Sequence, residues 1–461
     1  MSIWIYALAG LGFFFGAVVV LGLLVFAIVY YKVKPLRPLR AFFVYTRAYK
    51  FSNLKKKRAL LEKSCALFRK AEENIPVDSG LVWNWWGNAL RDLADLETSR
   101  DKKRDLLEAA CAKHETAVAH NDGTASILND FGYCLVKLAG LQDDPASKRM
   151  LLEKAALQFE KAGKGDAKTT STAMHYLGWA LAKQAELESD PERKRTLLEQ
   201  ARDRHEKAAA ADSDNKDILR GCGWVLIELA DLEKDETRRR ELLSTSLKQY
   251  RELLKKEPAD VDSFLSVGWI LRKTAAIEGD PEAKRAVLQE ACDQYREASI
   301  RDRSNVCLWY NWGLALFERA RLTDDTGERR SLLEDACAKL QEAARREDAP
   351  KLTWGQWSNA LGYLAEVQDS EEERRHCLEQ ALEKAEHAVS LNLKQAAYDC
   401  ACYAALLGKE EECRHWLARA EAERSLPPLE HMQTDTDLDG VRETVWFRDL
   451  VARRQYKEDV S

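Results

Sequence analysis

Residues of the types that most often carry chemistry are thinly spread in this 461-residue chain. Its eight histidines stand apart, with no His-Glu-x-x-His pair for zinc and no Cys-x-x-Cys ligand sets. Cys400 and Cys402, with Cys413 and His415 close behind, are the densest group of possible ligands. A single residue between cysteines is poor chelating geometry on a helix, because neighbours that close face different ways. No phosphate-binding loop or nucleophile motif occurs. The sequence therefore predicts no enzyme, no cofactor and no metal site.

Its most regular charged feature is a basic pair. It recurs at Lys57-Arg58, Lys103-Arg104, Lys148-Arg149, Lys194-Arg195, Arg239-Arg240, Lys284-Arg285, Arg329-Arg330 and Arg374-Arg375. Successive arginines lie 45 or 46 residues apart, and each opens an apolar stretch, usually Leu-Leu-Glu. Positive charge at the start of a helix opposes its macrodipole by roughly 0.3–1 kcal/mol at exposed sites. Compensation is expected from a carboxylate four residues on, pairing Arg104 with Glu108, Arg149 with Glu153, Arg195 with Glu199 and Arg330 with Glu334. The acidic loop just before, as in Glu188-Ser189-Asp190, is a second source. This reads as a structural salt-bridge ladder, with a basic edge for an acidic partner or anionic lipid as the alternative.

A fixed period of this size means a stack of like supersecondary units. Apolar residues fall at helical spacing at Trp83, Trp86, Leu90, Leu93 and Ala94, predicting a helix from Leu81 to Glu97. A second helix from Asp101 to His120 buries Leu106, Leu107, Ala110, His114 and Ala117. The short loop makes the two antiparallel neighbours. Asp144-Pro145, Asp190-Pro191 and Asp280-Pro281 each precede a second helix, with Asp as cap and Pro in the first turn. Asp235 and Asp325 stand at comparable places.

Ile3 to Tyr31 contains no charged residue, enough helix to cross roughly 30 Å of hydrocarbon. Trp4, Tyr6, Tyr30 and Tyr31 suit the two interfaces. No basic residue precedes the run and Lys32-Val33-Lys34 follows it, which predicts a retained anchor rather than a cleaved signal. Gly12 and Gly16 have the spacing that lets such helices pair closely. Residues 32–72 carry thirteen Lys/Arg against Glu62 and Glu72, although the whole chain is at −5. That excess predicts a cytoplasmic repeat region with the N-terminus outside, and Lys32, Lys34, Arg37 and Arg40 near lipid. Pro35 and Pro38 break any continuous helix leaving the bilayer. The acidic balance of the rest disfavours nucleic acid. Eleven scattered cysteines suit buried free thiols on a reducing side.

The repeat resembles the tetratricopeptide repeat (TPR) family. Its small helix-one position is Gly87, Gly132, Gly178, Gly223, Gly268, Gly313 and Ser358. Its helix-two pattern reads Ala110-His114-Ala117, Ala155-Phe159-Ala162, Ala201-His205-Ala208 and Ala291-Tyr295-Ala298, with looser matches elsewhere. The common unit has about 34 residues, so the added length predicts longer helices. The resemblance implies an all-α, right-handed TPR-like α-solenoid of antiparallel helix pairs, and the uncharged run Ile3–Tyr31 predicts a single transmembrane helix before it. The expected order is a signal-anchor helix (1–31), a basic juxtamembrane segment (32–58) and an incomplete leading unit (40–80). Seven extended repeats (81–392), one ordinary-length repeat (393–424) and a capping segment (425–461) follow.

In that family the first helices line a concave groove. The corresponding candidates for protein or peptide binding are Asn84, Asn88, Tyr133, His175, Trp179, Arg220, Trp224, Trp269 and Tyr310. Aromatic residues and Arg are common binding anchors. Ten of thirteen tryptophans lie in first helices, so packing against neighbours is the competing reading. Asn84 and Asn88 only partly match the family's clamp for acidic C-termini, because Asn84 stands where the clamp has lysine. The functional expectation is a membrane-anchored scaffold or adaptor that recruits protein partners. A mitochondrial outer-membrane import receptor and a self-assembling structural protein, which would be a homo-oligomer, are the alternatives. The membrane is a bacterial inner membrane, or an organelle's outer membrane in a eukaryote.

Overall fold

A computed structural model describes residues 37–74, 79–120 and 123–460. The expected anchor 1–31, its Gly12 and Gly16, and Lys32 and Lys34 lie outside those residues. Among the described residues no helix is long and apolar enough to cross a membrane. The chain divides into two compact units, Met1–Glu233 and Lys234–Ser461.

Helices of the first unit are α1 (Arg37–Ala48), α2 (Leu54–Ala71), α3 (Gly80–Asp95), α4 (Arg100–His120), α5 (Ala125–Ala139), α6 (Pro145–Ala162), α7 (Ala167–Ala185), α8 (Pro191–Ala211) and α9 (Lys216–Leu232). Those of the second are α10 (Glu236–Lys256), α11 (Val261–Ala276), α12 (Pro281–Arg301), α13 (Val306–Ala320), α14 (Thr326–Ala344), α15 (Leu352–Glu366), α16 (Glu371–Ser390), α17 (Ala396–Leu406) and α18 (Glu410–Ala422), closed by α19 (Leu429–Thr434), α20 (Asp439–Arg442) and α21 (Val445–Val460). The described residues contain no strand. Each unit is an all-α solenoid of TPR-like helix pairs.

The leading segment is folded. Pro38 lies in the first turn of α1, where its ring removes no helical hydrogen bond. α1 packs on α2 as a hairpin, and Ser64 Oγ donates to the Ala41 carbonyl at 2.8 Å.

From α3 to α16, first helices run 15–19 residues and second helices 18–21. The last pair, α17 and α18, has only 11 and 13. The long period therefore adds one to two turns to both helices. Asp144, Asp190, Asp235, Asp280 and Asp325 all accept backbone N–H bonds at the starts of their helices.

Small first-helix residues meet bulky second-helix ones, and this fixes how each hairpin closes. A Cβ on Gly132 would lie 2.5 Å from the Phe159 ring, and one on Gly268 would lie 2.6 Å from Tyr295. Phe159 and Tyr295 are fully buried. At the C-terminal end, Met432, Leu438, Val441, Phe447 and Leu450 close over the apolar face of α17 and α18.

The basic pairs do not form the expected ladder along their own helices. Arg149 reaches the next first helix, donating to the Leu187 carbonyl at 3.2 Å and to Glu188 at 3.1 Å. Arg195 does the same with the Leu232 carbonyl at 2.6 Å and Glu233 at 3.1 Å. Arg58 binds the Leu96 carbonyl and Glu97. In the second unit Arg240 binds the Ile277 carbonyl, and Arg330 binds the Val367 carbonyl and Asp369. Each cation thus sits at a helix C-terminus, where free carbonyls and the dipole favour it. Its charge at the start of its own helix is answered by the neighbouring repeat. Arg104 turns back to Asp101 instead, and Arg100 takes the cross-repeat role at Leu141. Arg375 keeps the four-residue pairing, with Glu379 at 3.2 Å.

The cysteines are free and mostly buried. Burial pushes the Cys222 thiol up to about 11 and the Cys65 thiol up to about 12, so both behave as apolar filling.

Candidate functional site

Three successive first helices of the first unit, α3, α5 and α7, form the walls of a cleft of about 370 Å³. Arg91 comes from α3. Ser126, Asn129, Asp130 and Tyr133 come from α5. Lys168, Thr169, Thr172 and Tyr176 come from α7. Helical spacing brings these residues together: Ser126, Asn129, Asp130 and Tyr133 share one face of α5, as Lys168, Thr169, Thr172 and Tyr176 share one face of α7.

A polar network forms the floor. Asp130 accepts from Asn84 Nδ2 at 2.8 Å, Asn88 Nδ2 at 2.9 Å and Arg91 Nη1 at 3.2 Å. Arg91 also bonds Asp92 at 3.2 Å, and Tyr45 donates to the same carboxylate at 3.0 Å. Asn84 Oδ1 lies 2.9 Å from His114 Nδ1. Since the Asn84 amide already donates to Asp130, the oxygen must accept, so His114 carries its proton on Nδ1. Burial pushes His114 down to about 3, and the ring is neutral.

Asn129 is one of the residues that line the cleft. It is 7% exposed, its Nδ2 donates to the Thr169 carbonyl at 3.4 Å, and its Oδ1 has no hydrogen-bond partner. A buried amide oxygen left without a donor costs about 1–3 kcal/mol. A ligand N–H that reached it would recover that energy. The Asn88 Oδ1 is also without a partner. One wall is aromatic: Tyr133 lies 5.1 Å from Tyr176 and 6.1 Å from Trp179, with Arg91 over its ring at 5.4 Å.

The sequence-derived candidates divide accordingly. Tyr133 lines the cleft and Trp179 backs its aromatic wall. Asn88 supports the floor through Asp130. Asn84 is 4% exposed and is a structural member of the network, which corrects its reading as a groove residue. His175 is half-buried, with Nδ1 3.3 Å from His205 Nδ1, and burial pushes it down to about 4. Arg220 pairs with Asp217 at 2.9 Å on α9. Trp224 is half-buried beneath Lys183, at 5.5 Å. Trp269 and Tyr310 belong to the second unit, where Lys273 covers Trp269 at 4.5 Å. Both packing and access thus apply to the tryptophans. Arg37 is exposed and Arg40 half-buried on α1.

Sequence reading placed Asn129 on the first-helix stripe, three residues before Gly132, and missed Arg91, Lys168 and Tyr176. The available signal was positional: all lie on first helices, on the face that carries Tyr133. Asp130, which stands where the family's clamp would offer an asparagine in the second repeat, organises the floor.

Among the described residues Cys402, Asp435 and Asp437 bring ligand atoms within 4.8 Å of one another, a grouping the sequence did not reveal. Its polar atoms already have structural work. Asp435 accepts from Tyr398 Oη at 2.7 Å and from the Asp437 N–H at 3.1 Å, tying the cap to α17.

The described residues define the class: each unit is an all-α solenoid of TPR-like helix pairs. No family pattern and no curated protein matches the chain. Solved structures similar to it include the apo quorum sensor NprR from B. thuringiensis, at 15% identity over 86% of this chain and 99% of that one, with TM-score 0.45. A tetratricopeptide repeat protein from Parabacteroides merdae is similar at 11% identity over 70% and 99%, with TM-score 0.40. The S. pombe nuclear import adaptor Nro1 is similar at 10% identity over 73% and 100%, with TM-score 0.31.

Proposed function

We propose that this chain is a membrane-anchored scaffold that binds an extended segment of a partner protein in the α3–α5–α7 cleft. One observation carries the reading: the buried, unpartnered Asn129 Oδ1 in a cleft walled by three successive first helices. An extended peptide supplies what the cleft lacks. Its backbone N–H donates to Asn129, an apolar side chain packs on Tyr133 and Tyr176, and Lys168 receives a carbonyl or carboxylate. The uncharged run Ile3–Tyr31 supports an anchor that presents the repeats at a cytoplasmic membrane face.

A photo-crosslinking residue at Thr172, introduced into the full chain in intact cells, tests the site. The expected result is a discrete protein adduct that disappears in Asn129→Ala/Tyr133→Ala while the unfolding midpoint is retained. An adduct indifferent to those substitutions, or no adduct, sinks the cleft. Alkaline carbonate extraction tests the anchor separately: release of the chain into the soluble fraction removes it.

A further inference from the structure

The outer face of the leading hairpin carries a feature the cleft does not use. α1 is two-sided. Ala41, Tyr45 and Ala48 are buried, and Phe42 stacks on Trp85 at 4.0 Å between ring centroids. On the opposite side Leu39, Phe43 and Arg47 succeed one another at one-turn spacing, with Phe43 51% exposed. Beyond α1, Tyr49 and Leu54 are exposed at 55% and 66%, among the exposed Lys50, Lys55 and Lys56. Ten Lys/Arg and no Asp or Glu occur between residues 32 and 61.

We infer that this face of the hairpin docks on an anionic phospholipid surface, with Phe43 and Leu39 entering the headgroup layer and Arg37, Arg47 and Lys50 meeting phosphates. The inference rests on the anchor reading of Ile3–Tyr31. Chain length makes the contact close to obligatory. Residues 32–36 span at most about 18 Å when fully extended, so α1 begins beside the headgroups. Charge selects the partner, since an acid-free basic stretch matches an anionic leaflet. Exposed aromatic and aliphatic residues interleaved with lysines are the pattern of an interfacial helix, whose apolar side chains enter the acyl boundary while long cations reach back to phosphate. An acidic soluble protein would satisfy the charges and leave Phe43 and Leu54 in water.

The test reconstitutes the full chain in phosphatidylcholine vesicles with and without phosphatidylserine. A photo-crosslinking phenylalanine analogue replaces Phe14, Phe42 or Phe43 in turn, and lipid adducts are read by mass spectrometry. The expected result is lipid adducts at 14 in both compositions, none at 42, and adducts at 43 that are several-fold more abundant with phosphatidylserine. Arg37→Gln/Arg47→Gln/Lys50→Gln should remove that excess without changing position 14. Adducts at 14 and none at 43 overturn the docking and leave the anchor standing. Equal yields at 43 in both compositions overturn the anionic selection. No adduct at 14 overturns the anchor, and the docking with it.

Discussion

Arg149 on α6 donates to the carbonyl of Leu187 at 3.2 Å, at the far end of α7, so one repeat supplies the cap of the next. Its second bond goes to Glu188, whose other oxygen accepts the Ser189 and Asp190 N–H groups of its own loop at 3.1 and 3.4 Å. The arginine side-chain bond, first of all, then those loop bonds hold the Glu188 carboxyl below its ordinary value. Arg58 and Glu97 repeat the arrangement, with Glu97 accepting from Thr98 and Ser99. At Arg58, Arg149, Arg195, Arg240 and Arg330 the basic pair is therefore a joint between repeats, whereas Arg104, Arg285 and Arg375 pair within their own helices.

The joint separates arginines that look alike in sequence. Arg149→Gln and Arg195→Gln each remove a cap on the following first helix and should lower the unfolding midpoint. Arg104→Gln, which loses only a partner within its own helix, should leave the midpoint nearly unchanged. Thermal melts of the three variants decide it. Equal effects at all three positions count against an inter-repeat role.

Hairpin closure gives a second prediction. Gly132→Ala brings a methyl within 2.5 Å of the rigid Phe159 ring and should cost about 1–3 kcal/mol by overpacking. Phe159→Leu alone should also destabilise, by leaving space. The two together should recover part of the loss, because the smaller side chain makes room for the methyl. Urea unfolding of both singles and the double measures this, and strictly additive losses argue against the contact.

The cleft floor gives a third. Arg91 and Asp130 side chains are 13% and 26% exposed, and Asp92 shares the guanidinium. Asp130→Asn leaves Arg91 with one carboxylate and should cost about 1–2 kcal/mol, less than a fully buried pair because Asp92 and partial solvation remain. Arg91→Gln/Asp130→Asn should be more stable than the sum of the single losses. Denaturant titration of the three variants reads the coupling.

Legibility followed the range of each interaction. The period, the Gly132–Phe159 type of closure and the Asp144 and Asp190 caps were readable because the responsible residues are neighbours in a hairpin or a turn. The partner of Arg149 was not, since a carboxylate four residues on, Glu153, is the obvious local choice and nothing local points to Leu187. Asn84 carries the same lesson. Its type and spacing suit a groove, but it is buried and its amide donates to Asp130 of the next first helix. Asn129 could be placed on the same first-helix stripe, but its unpartnered oxygen could not be foreseen, because an amide without a partner becomes visible only once its surroundings are assembled.

The two units should respond to acid with opposite signs. In the first, burial pushes His114 and His205 down to about 3 and His175 down to about 4. The unfolded chain then binds more protons than the folded one below the ordinary histidine value of 6.5, so stability present above 6.5 is lost as pH falls below it. In the second, burial and then the Asp435 charge raise Asp399 and Asp437 from 3.8 to about 6. There the folded chain binds more protons between 3.8 and about 6, so stability rises as pH falls through that window. Hydrogen exchange at about pH 7 and about pH 5, corrected for the intrinsic rate, should show lost protection in α4 and α8 and gained protection in α17 and α20. His205→Tyr, the residue type carried at Tyr250 and Tyr295, should blunt the loss in α8. Asp399→Asn/Asp437→Asn should abolish the gain around α17 while leaving the first unit's response intact. A common direction in both units would show that the buried histidines or the clustered aspartates do not keep these protonation states.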